Sequence, residues 1–191
     1  MGGRSTTVPL RRSEAELADR DAARRQFLEA MAAAPAAVTV VATSGPAGSY
    51  AMTVSSMASV SADPPSLLVC LKRRSPLCRA LPVNGFFSVS ILAADQTDLA
   101  DTFAGRIVPG TAPYDMAAAE WNAGPYDIPA LAAAAASFEC ELTRTLLVDS
   151  HAVFFGQVIR SRRPARRCPV VHWERSYHAL TDDPDLRLMK G

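Results

Sequence analysis

The stretch MTVSSMASVSADPPSLLVCLKRRS, residues 52–75, carries the strongest information about the fold. Its first half is typical of a strand with a bend inside it. Asp63-Pro64-Pro65 then forces an extended corner, because a residue that precedes proline avoids the helical conformation. The run Ser66–Leu71 is short and apolar, which is typical of a strand buried on both faces. Ser75 and Pro76 favour the N-cap and the first position of a short helix.

Further strand-like segments lie on both sides of this stretch. Some are rich in β-branched residues and others alternate apolar with polar residues. The segments are AVTVVAT (37–43), GFFSVSIL (85–92), SFECELTRTLLV (137–148), HAVFFGQVIR (151–160) and CPVVHWERSYHALT (168–181), of which the last favours a closing hairpin. Six or more short strands without regular βα alternation argue against a doubly wound fold. They favour a mainly β architecture, a small antiparallel barrel with helical decorations.

Helical patterns are few. A capping box of Ser13 and Glu16 predicts a helix from about Glu14 to Ala34, ended by Pro35. DQTDLADTFAG (95–105) predicts a further helix that stops at its glycine. Propensity alone favours a helix over Ala132–Ala136, although the strand-like residues that follow leave this junction ambiguous. Residues 106–130 hold four prolines and predict a long loop of the kind that is usually functional or mobile.

Length and composition bound the remaining possibilities. The 191 residues suit one globular domain, which we place at residues 13–183 between flexible tails at 1–12 and 184–191. A formal net charge of +1 argues against a main role on nucleic acid or an anionic membrane surface, and no apolar run is long enough to cross a bilayer. The N-terminus is polar, so no secretory signal is expected.

The four cysteines, Cys70, Cys78, Cys140 and Cys168, form no C-x-x-C pair and have no histidine at zinc-site spacing. We therefore expect no metal site. Buried thiols in a cytoplasmic protein are the favoured interpretation, with a disulfide pair as the less favoured one.

Several catalytic motifs are absent, including G-x-G-x-x-G after a strand, a P-loop and a G-x-S-x-G elbow. Asp149-Ser150-His151 invites comparison with a Ser/His/Asp triad. Neighbours in a strand point to opposite faces, so Ser150 and His151 should not meet, and we reject the triad.

Three segments remain as candidates for a site, and each has two interpretations. The hydroxyl-rich run Thr53-Val54-Ser55-Ser56, followed by Ser59 and Ser61, could line a polar slot, although backbone-satisfied hydroxyls on an edge strand are favoured by the residues alone. Lys72-Arg73-Arg74 before a helix N-terminus would suit a phosphate, or could form a solvated basic loop with an ordinary Ser75 cap.

The third candidate is His151. Asp149, two residues before it, could orient the imidazole, but a locally satisfied histidine at a strand end explains the pattern as well. His172 and His178 lie in the predicted closing hairpin, and Tyr177 between them favours packing over chemistry.

Taken together and in this order, the segments resemble the flavin reductase family, whose fold is the FMN-binding split barrel. Its members are the small reductase components of two-component flavin-dependent monooxygenases. The matching residues are 37–43, 52–75, 86–105, 124–142, 149–158 and 169–180. Two departures stand out: Ser90 replaces a frequent Asn, and Asp149-Ser150 replaces a frequent Gly-Asp before His151.

The resemblance implies where the cofactors bind. The segment at Thr53–Ser56 would contact the isoalloxazine ring, the segment at Cys70–Ser75 would reach the ribityl chain and phosphate, and His151 would lie beside the nicotinamide as the catalytic residue. The cofactor-binding residues expected on this basis are Met52, Thr53, Val54, Ser55, Ser56, Ser59, Cys70, Leu71, Lys72, Arg73, Arg74, Ser75, Ser90, Gln96, Phe103, His151, Tyr177 and His178.

The resemblance also implies the activity. A homodimer would oxidise NADH or NADPH, reduce FMN or FAD by hydride transfer, and release reduced flavin to a separate monooxygenase. Two alternatives stay open. One is a split-barrel flavoprotein oxidase or oxygenase with tightly bound flavin, which would hold its own substrate at the loop 106–130. The other is a flavin-binding protein without enzymatic activity. The sequence does not choose between the two flavins or the two nicotinamides.

Overall fold

The computed structural model describes residues 14–164 and 167–180. Its elements, in chain order, are α1 (Glu14–Ala32), β1 (Ala36–Ala37), β2 (Thr39–Thr43), β3 (Tyr50–Val54), β4 (Met57–Ala62), β5 (Pro65–Lys72), α2 (Pro76–Asn84), β6 (Phe86–Ile91), α3 (Thr97–Phe103), β7 (Trp121–Ala123), β8 (Pro129–Leu131), β9 (Ala136–Val148), β10 (His151–Arg162), β11 (Val170–Trp173) and β12 (Ser176–Ala179).

The helix α1 belongs to a unit that ends at Ala34, and a second unit starts at Pro35. Its bounds confirm the helix predicted from Glu14 to Ala34. The capping residue Ser13 and the two predicted tails lie outside the described residues. None of the described helices is both long and apolar enough to span a membrane.

Seven antiparallel strands form the main sheet, in the order β3-β2-β6-β9-β10-β5-β4. The two edge strands, β3 and β4, are consecutive in the chain and are joined by Ser55 and Ser56 alone. A two-residue connection spans on the order of 10 Å. The sheet must therefore curl until its edges meet, although no ladder pairs β3 with β4 among the described strands. This arrangement is a barrel with an unpaired seam, and it confirms the predicted mainly β, split-barrel architecture.

Each face of the sheet covers its own apolar cluster. One cluster holds Phe87 and Phe154 with Leu77 and Leu81 of α2, which packs over that face. The other cluster includes Phe103 of α3, together with residues of β2 and β8 such as Val40 and Leu131. The helix α2 therefore packs against β3 and β5, and α3 packs against β2 and β3.

The predicted entry into α2 is confirmed. Ser75 is the N-cap, its Oγ accepts a hydrogen bond from the Cys78 amide at 3.1 Å, and Pro76 starts the helix. The strand β5 differs from its prediction, because only Leu67, Val69 and Leu71 are buried while Ser66, Leu68 and Cys70 are half-buried. The second face of β5 is less covered because it reaches the open seam, where Cys70 lines a cavity.

The predicted helix over Ala132–Ala136 is wrong. The amide of Ala132 donates to Glu120 O at 2.9 Å and the amide of Ala135 donates to Ile91 O at 2.8 Å. Tertiary hydrogen bonds therefore override the helix propensity of alanine here. The predicted loop 106–130 contains the start of a small hairpin, β7 and β8, and a short 3₁₀ turn at Met116–Ala118.

Candidate active site

A groove runs along β3 and the connection from β3 to β4, beside the end of β5 and the start of β10. Two adjoining cavities of about 560 and 480 Å³ form it, and they share Met52, Lys72 and Tyr114. We call this pair of cavities the seam groove. Its further lining comes mainly from Tyr50, Arg74, Ser75 and Leu77 in the first cavity and from Thr53, Val54, Ser55, Ser56, Cys70 and His151 in the second.

The hydroxyl-rich run forms one wall of the groove, but two of its hydroxyls are committed to the fold. Thr53 Oγ1 donates to Ala100 O at 2.8 Å, and Ser56 Oγ donates to Cys70 O at 2.9 Å. The interpretation of backbone-satisfied hydroxyls is therefore correct for Thr53 and Ser56. These bonds anchor the wall to α3 and to β5, which keeps residues 53–56 in place beside a ligand.

Cations gather at the other end of the groove, before α2. Lys72 and Arg74 line the same cavity as Ser75. Ser75 Oγ also donates to Lys72 O at 2.8 Å, so the N-cap fixes the turn that carries the cations. The helix N-terminus and the two side chains together favour an anion.

Arg73 lies on a different cavity from Ser75. Its Nη1 donates to Asp149 O at 3.1 Å, and it lines a cavity of about 620 Å³ with Lys72, Ser150 and His151. Lys72 and Arg74 reach both this cavity and the seam groove. Positive charge therefore flanks the groove on two sides.

His151 is the first residue of β10, where it pairs with Lys72 of β5. Its Nδ1 lies 2.9 Å from Ser150 Oγ. The prediction that these two side chains cannot meet is wrong, because Asp149 and Ser150 form the turn between β9 and β10, with Asp149 in the left-handed region at φ 45°. The predicted orienting role of Asp149 falls instead to Ser150. No carboxylate of the described residues bonds the ring, so the arrangement is still not a triad.

Three other predicted residues are buried in the core and line none of these cavities. Ser90 Oγ accepts from the Leu131 amide at 3.1 Å, and Gln96 Nε2 donates to Ala132 O at 3.1 Å. Phe103 packs edge to face on Trp121, with ring centroids 5.7 Å apart. They support the second apolar cluster and the segment after β8, while Ala104, next to Phe103, reaches the groove.

Of the remaining predicted residues, three line none of these cavities and one lines a further, smaller cavity. Leu71 is fully buried in the first apolar cluster, and Ser59 is exposed on β4. His178 packs edge to face on Trp173. Tyr177 lines a small cavity of about 160 Å³ that also touches Thr53 and Ser55.

Tyr177 is held by a carboxylate. Its Oη donates to Asp101 Oδ1 at 2.7 Å, and Arg106 donates to the same oxygen at 2.8 Å. Burial, followed by the hydrogen bond to Asp101, raises the pKa of Tyr177 to about 12. The phenol therefore stays protonated and ties β12 to α3.

Sequence reasoning missed Tyr114, which lines both cavities of the groove. The one signal in the sequence was its place in a long loop predicted to be functional.

The apolar walls, the cations and the imidazole of the seam groove suit a planar ring with an anionic tail. Burial raises the pKa of Cys140 to about 12 and also raises that of Cys78, which opposes thiolate formation at these two cysteines.

Comparison with known proteins places this groove in context. A family model described as "Flavin reductase like domain" matches residues 31–181. The chain is 36% identical to the FMN reductase (NADH) RutF of Ancylobacter novellus, over 85% of this chain and 88% of that protein.

Solved structures are similar as well. BorF, the flavin reductase component of a bacterial two-component tryptophan halogenase, is 32% identical with a TM-score of 0.74, over 84% of this chain and 99% of that one. The NADH:FAD oxidoreductase SgcE6 of Streptomyces globisporus C-1027 is 30% identical with a TM-score of 0.73, over 83% of this chain and 93% of that one.

Proposed function

The chain belongs to the family of flavin reductase-like domains, and from this membership we propose that it is an NAD(P)H:flavin oxidoreductase. It oxidises the nicotinamide and reduces FMN or FAD. The observation that carries the proposal is the seam groove, where three segments that are far apart in the chain meet: Thr53–Ser56, the turn that carries Lys72, Arg74 and Ser75, and His151.

The residues of the groove fit a flavin. Lys72, Arg74 and the N-terminus of α2 supply charge and amides for a phosphate, and the Met52–Ser56 wall gives the ring a partly apolar bed. When bound, a flavin would supply the redox chemistry, as the acceptor of a hydride from NAD(P)H and of a proton from the medium.

The protein's task is then to hold two rings in contact and exclude water. We assign the positioning of the nicotinamide to His151, whose ring is held by Ser150 at the groove's second cavity. Backbone amides near Thr53–Ser56 would stabilise negative charge on a reduced ring. Hydride transfer needs no nucleophile and no strong general acid, so positioning is the main role.

The relatives bear on the choice of cofactor. One is named for FMN and NADH, and SgcE6 is named for NADH and FAD. We therefore expect NADH as the nicotinamide and activity with both flavins. BorF is named as a reductase component of a two-component halogenase, which supports delivery of reduced flavin to a separate flavin-dependent monooxygenase.

We also propose a homodimer in the cytoplasm. The end of β9 is exposed and apolar at Leu146, Leu147 and Val148, which suits burial against a second copy. All four cysteines are free, which suits a compartment where thiols stay reduced. The prediction of buried thiols is correct for Cys78 and Cys140 and wrong for Cys70, which is half-buried, and for Cys168, which is exposed.

The test is NADH oxidation by the purified full chain, first desalted and without flavin, then with FMN or FAD. Oxidation that depends on added flavin and saturates with it supports a reductase that releases its flavin. Oxidation by a yellow protein without added flavin would favour a bound prosthetic flavin and the oxidase or oxygenase alternative. No oxidation by folded protein with either flavin and with NADH or NADPH would contradict the proposal and leave a binding role.

A further inference from the structure

Tyr114 lies at the junction of the two cavities that form the seam groove. It comes from the loop between α3 and β7, whereas the other residues shared by the two cavities, Met52 and Lys72, belong to the sheet. A ligand that extends from the cations at α2 to the wall at Thr53–Ser56 has to pass this side chain.

The backbone around Tyr114 is arranged to present the ring at that point. Tyr114 has a left-handed φ of 62°, which is uncommon for a residue with a bulky side chain. Its amide donates to Thr102 O at 2.9 Å, which ties the loop to α3. Such strain persists only where surrounding contacts fix it, and it is concentrated at ligand sites.

Gly105 leaves the space that the ring occupies. A Cβ at Gly105 would lie 2.3 Å from Tyr114 Oη and 2.5 Å from its Cζ. The phenol therefore lies directly against the backbone at the end of α3. Any other residue at position 105 would push the ring away from this position.

The ring itself has a free side. Tyr114 is 48% exposed, and the hydrogen bond that its Oη donates to Ala104 O is long, at 3.4 Å. No other ring of the described residues stacks on Tyr114. Tyr126 provides a contrast: it has nearly the same φ, 60°, but its ring stacks on Phe86 with centroids 4.4 Å apart.

We propose that Tyr114 stacks on the flavin in the groove and is a determinant of flavin affinity. The inference rests on the proposed flavin reductase function. An exposed aromatic face beside a slot for a planar ring gains a stacking partner when the ring enters, and offset stacking adds to the affinity beyond the area buried.

The experiment titrates wild type, Tyr114→Phe, Tyr114→Ala and Tyr126→Ala with FMN and follows flavin fluorescence. Tyrosine quenches a stacked flavin by electron transfer and phenylalanine does not. Tyr114→Ala should weaken FMN binding about tenfold. Tyr114→Phe should keep the affinity within about threefold and lose part of the quenching, and Tyr126→Ala should match wild type.

The outcomes separate the two levels of the argument. Wild type that binds no FMN would overturn the proposed function itself. Wild type that binds FMN, with unchanged affinity and quenching in both Tyr114 variants, would overturn the stacking role alone. If Tyr114→Ala does not fold, as judged from its thermal melt, Tyr114→Phe decides, because unchanged quenching in that variant contradicts a stacked phenol.

Discussion

At the scale of single residues, a turn determines how His151 meets a ligand. Ser150 Oγ lies at Nδ1, so Nε2 is the ring nitrogen left for the groove. A hydrogen bond at one nitrogen restrains the orientation of the ring. The imidazole is therefore held in one orientation beside the groove, which suits the nicotinamide-positioning role that we propose for it.

Replacing His151 tests this positioning. His151→Asn removes the ring and keeps a polar group, so we expect the KM for NADH to rise or kcat to fall, by about tenfold in kcat/KM. The KM for FMN should change less. Ser150→Ala should show a smaller effect in the same direction, because the ring stays but loses its partner. Steady-state kinetics with each substrate varied in turn measure both, and unchanged kinetics for both substrates would remove His151 from the site.

The residue scale is also where the sequence is least informative. The types and spacing of Lys72, Arg74 and Ser75 predict the anion end, because a capped helix start has a local signature. The contact between Ser150 and His151 depends on a left-handed turn at Asp149, and alternation along a strand predicts the opposite. Tyr114 depends on the path of a loop, for which neither period nor propensity carries information.

At the scale of elements, close packing inside β10 limits what one strand position accepts. A Cβ at Gly156 would lie 2.5 Å from Phe87 Cζ and 2.8 Å from Cys140 Cβ, and both of these residues are fully buried. The register between β9 and β10 also shifts at this point. The glycine therefore lets three neighbouring strands approach each other.

Gly156→Ala should destabilise the protein by about 1–3 kcal/mol, as overpacking in a core does. Urea unfolding of the variant and wild type measures the difference. Gly110→Ala is the control: its φ is 82°, but a Cβ there meets nothing within 4 Å, so we expect about 1 kcal/mol from strain alone. Equal losses in the two variants would contradict the packing argument. In a double-mutant cycle, Gly156→Ala should cost less in a Phe87→Leu background than in wild type.

The link between β12 and α3 gives a pH prediction. The pKa of Tyr177 is raised to about 12 in the folded protein, above the ordinary value near 10 in an unfolded chain. The contribution of the protonated Tyr177 phenol to the free energy of unfolding is complete below pH 10. It is lost as the pH rises from 10 to 12, because the phenol loses its proton in the unfolded state before it does so in the folded state.

Tyr177→Phe should cost about 1 kcal/mol near neutral pH, where the bond to Asp101 is intact. Urea midpoints at pH 8 and at pH 11 measure the effect. The difference in urea midpoint between wild type and Tyr177→Phe should be smaller at pH 11 than at pH 8. A difference that does not depend on pH would contradict a stabilising role of the phenol proton.

Elements with a periodic pattern could be predicted well from the sequence, including α1, α2, β6, β9 and β10. The segment at Ala132–Ala136 could not, since its alanines favour a helix while hydrogen bonds to Ile91 and Glu120 hold residues 132–135 in a turn that leads into β9. Those partners are far away in the chain, so a local reading of five alanines could not include them.

At the scale of the whole molecule, the proposed homodimer can be tested by changing the exposed end of β9. Leu147 is 66% exposed near the end of β9, a large apolar side chain in an open position. Leu147→Glu should convert a dimer to a monomer, because a carboxylate is not tolerated in an apolar interface. Light scattering after gel filtration measures the mass, and NADH oxidation shows whether assembly affects the site.

Val83→Glu provides the matched control, since Val83 is 63% exposed on α2 and the change of charge is the same. That variant should keep the mass of wild type. A monomeric wild type would contradict the proposed homodimer. A Leu147→Glu variant that is still a dimer would show that the interface does not lie at the end of β9.

The residues that line the seam groove come partly from regular secondary structure and partly from a loop. Its cations and hydroxyls lie on strands and at a capped helix, but Tyr114 lies on a loop outside the sheet. Changes in that loop leave the barrel's hydrogen bonds intact, so selection can alter it at little cost to folding. If Tyr114 stacks on the flavin as proposed, affinity for the flavin can therefore differ between relatives that share this barrel and the same hydride-transfer chemistry.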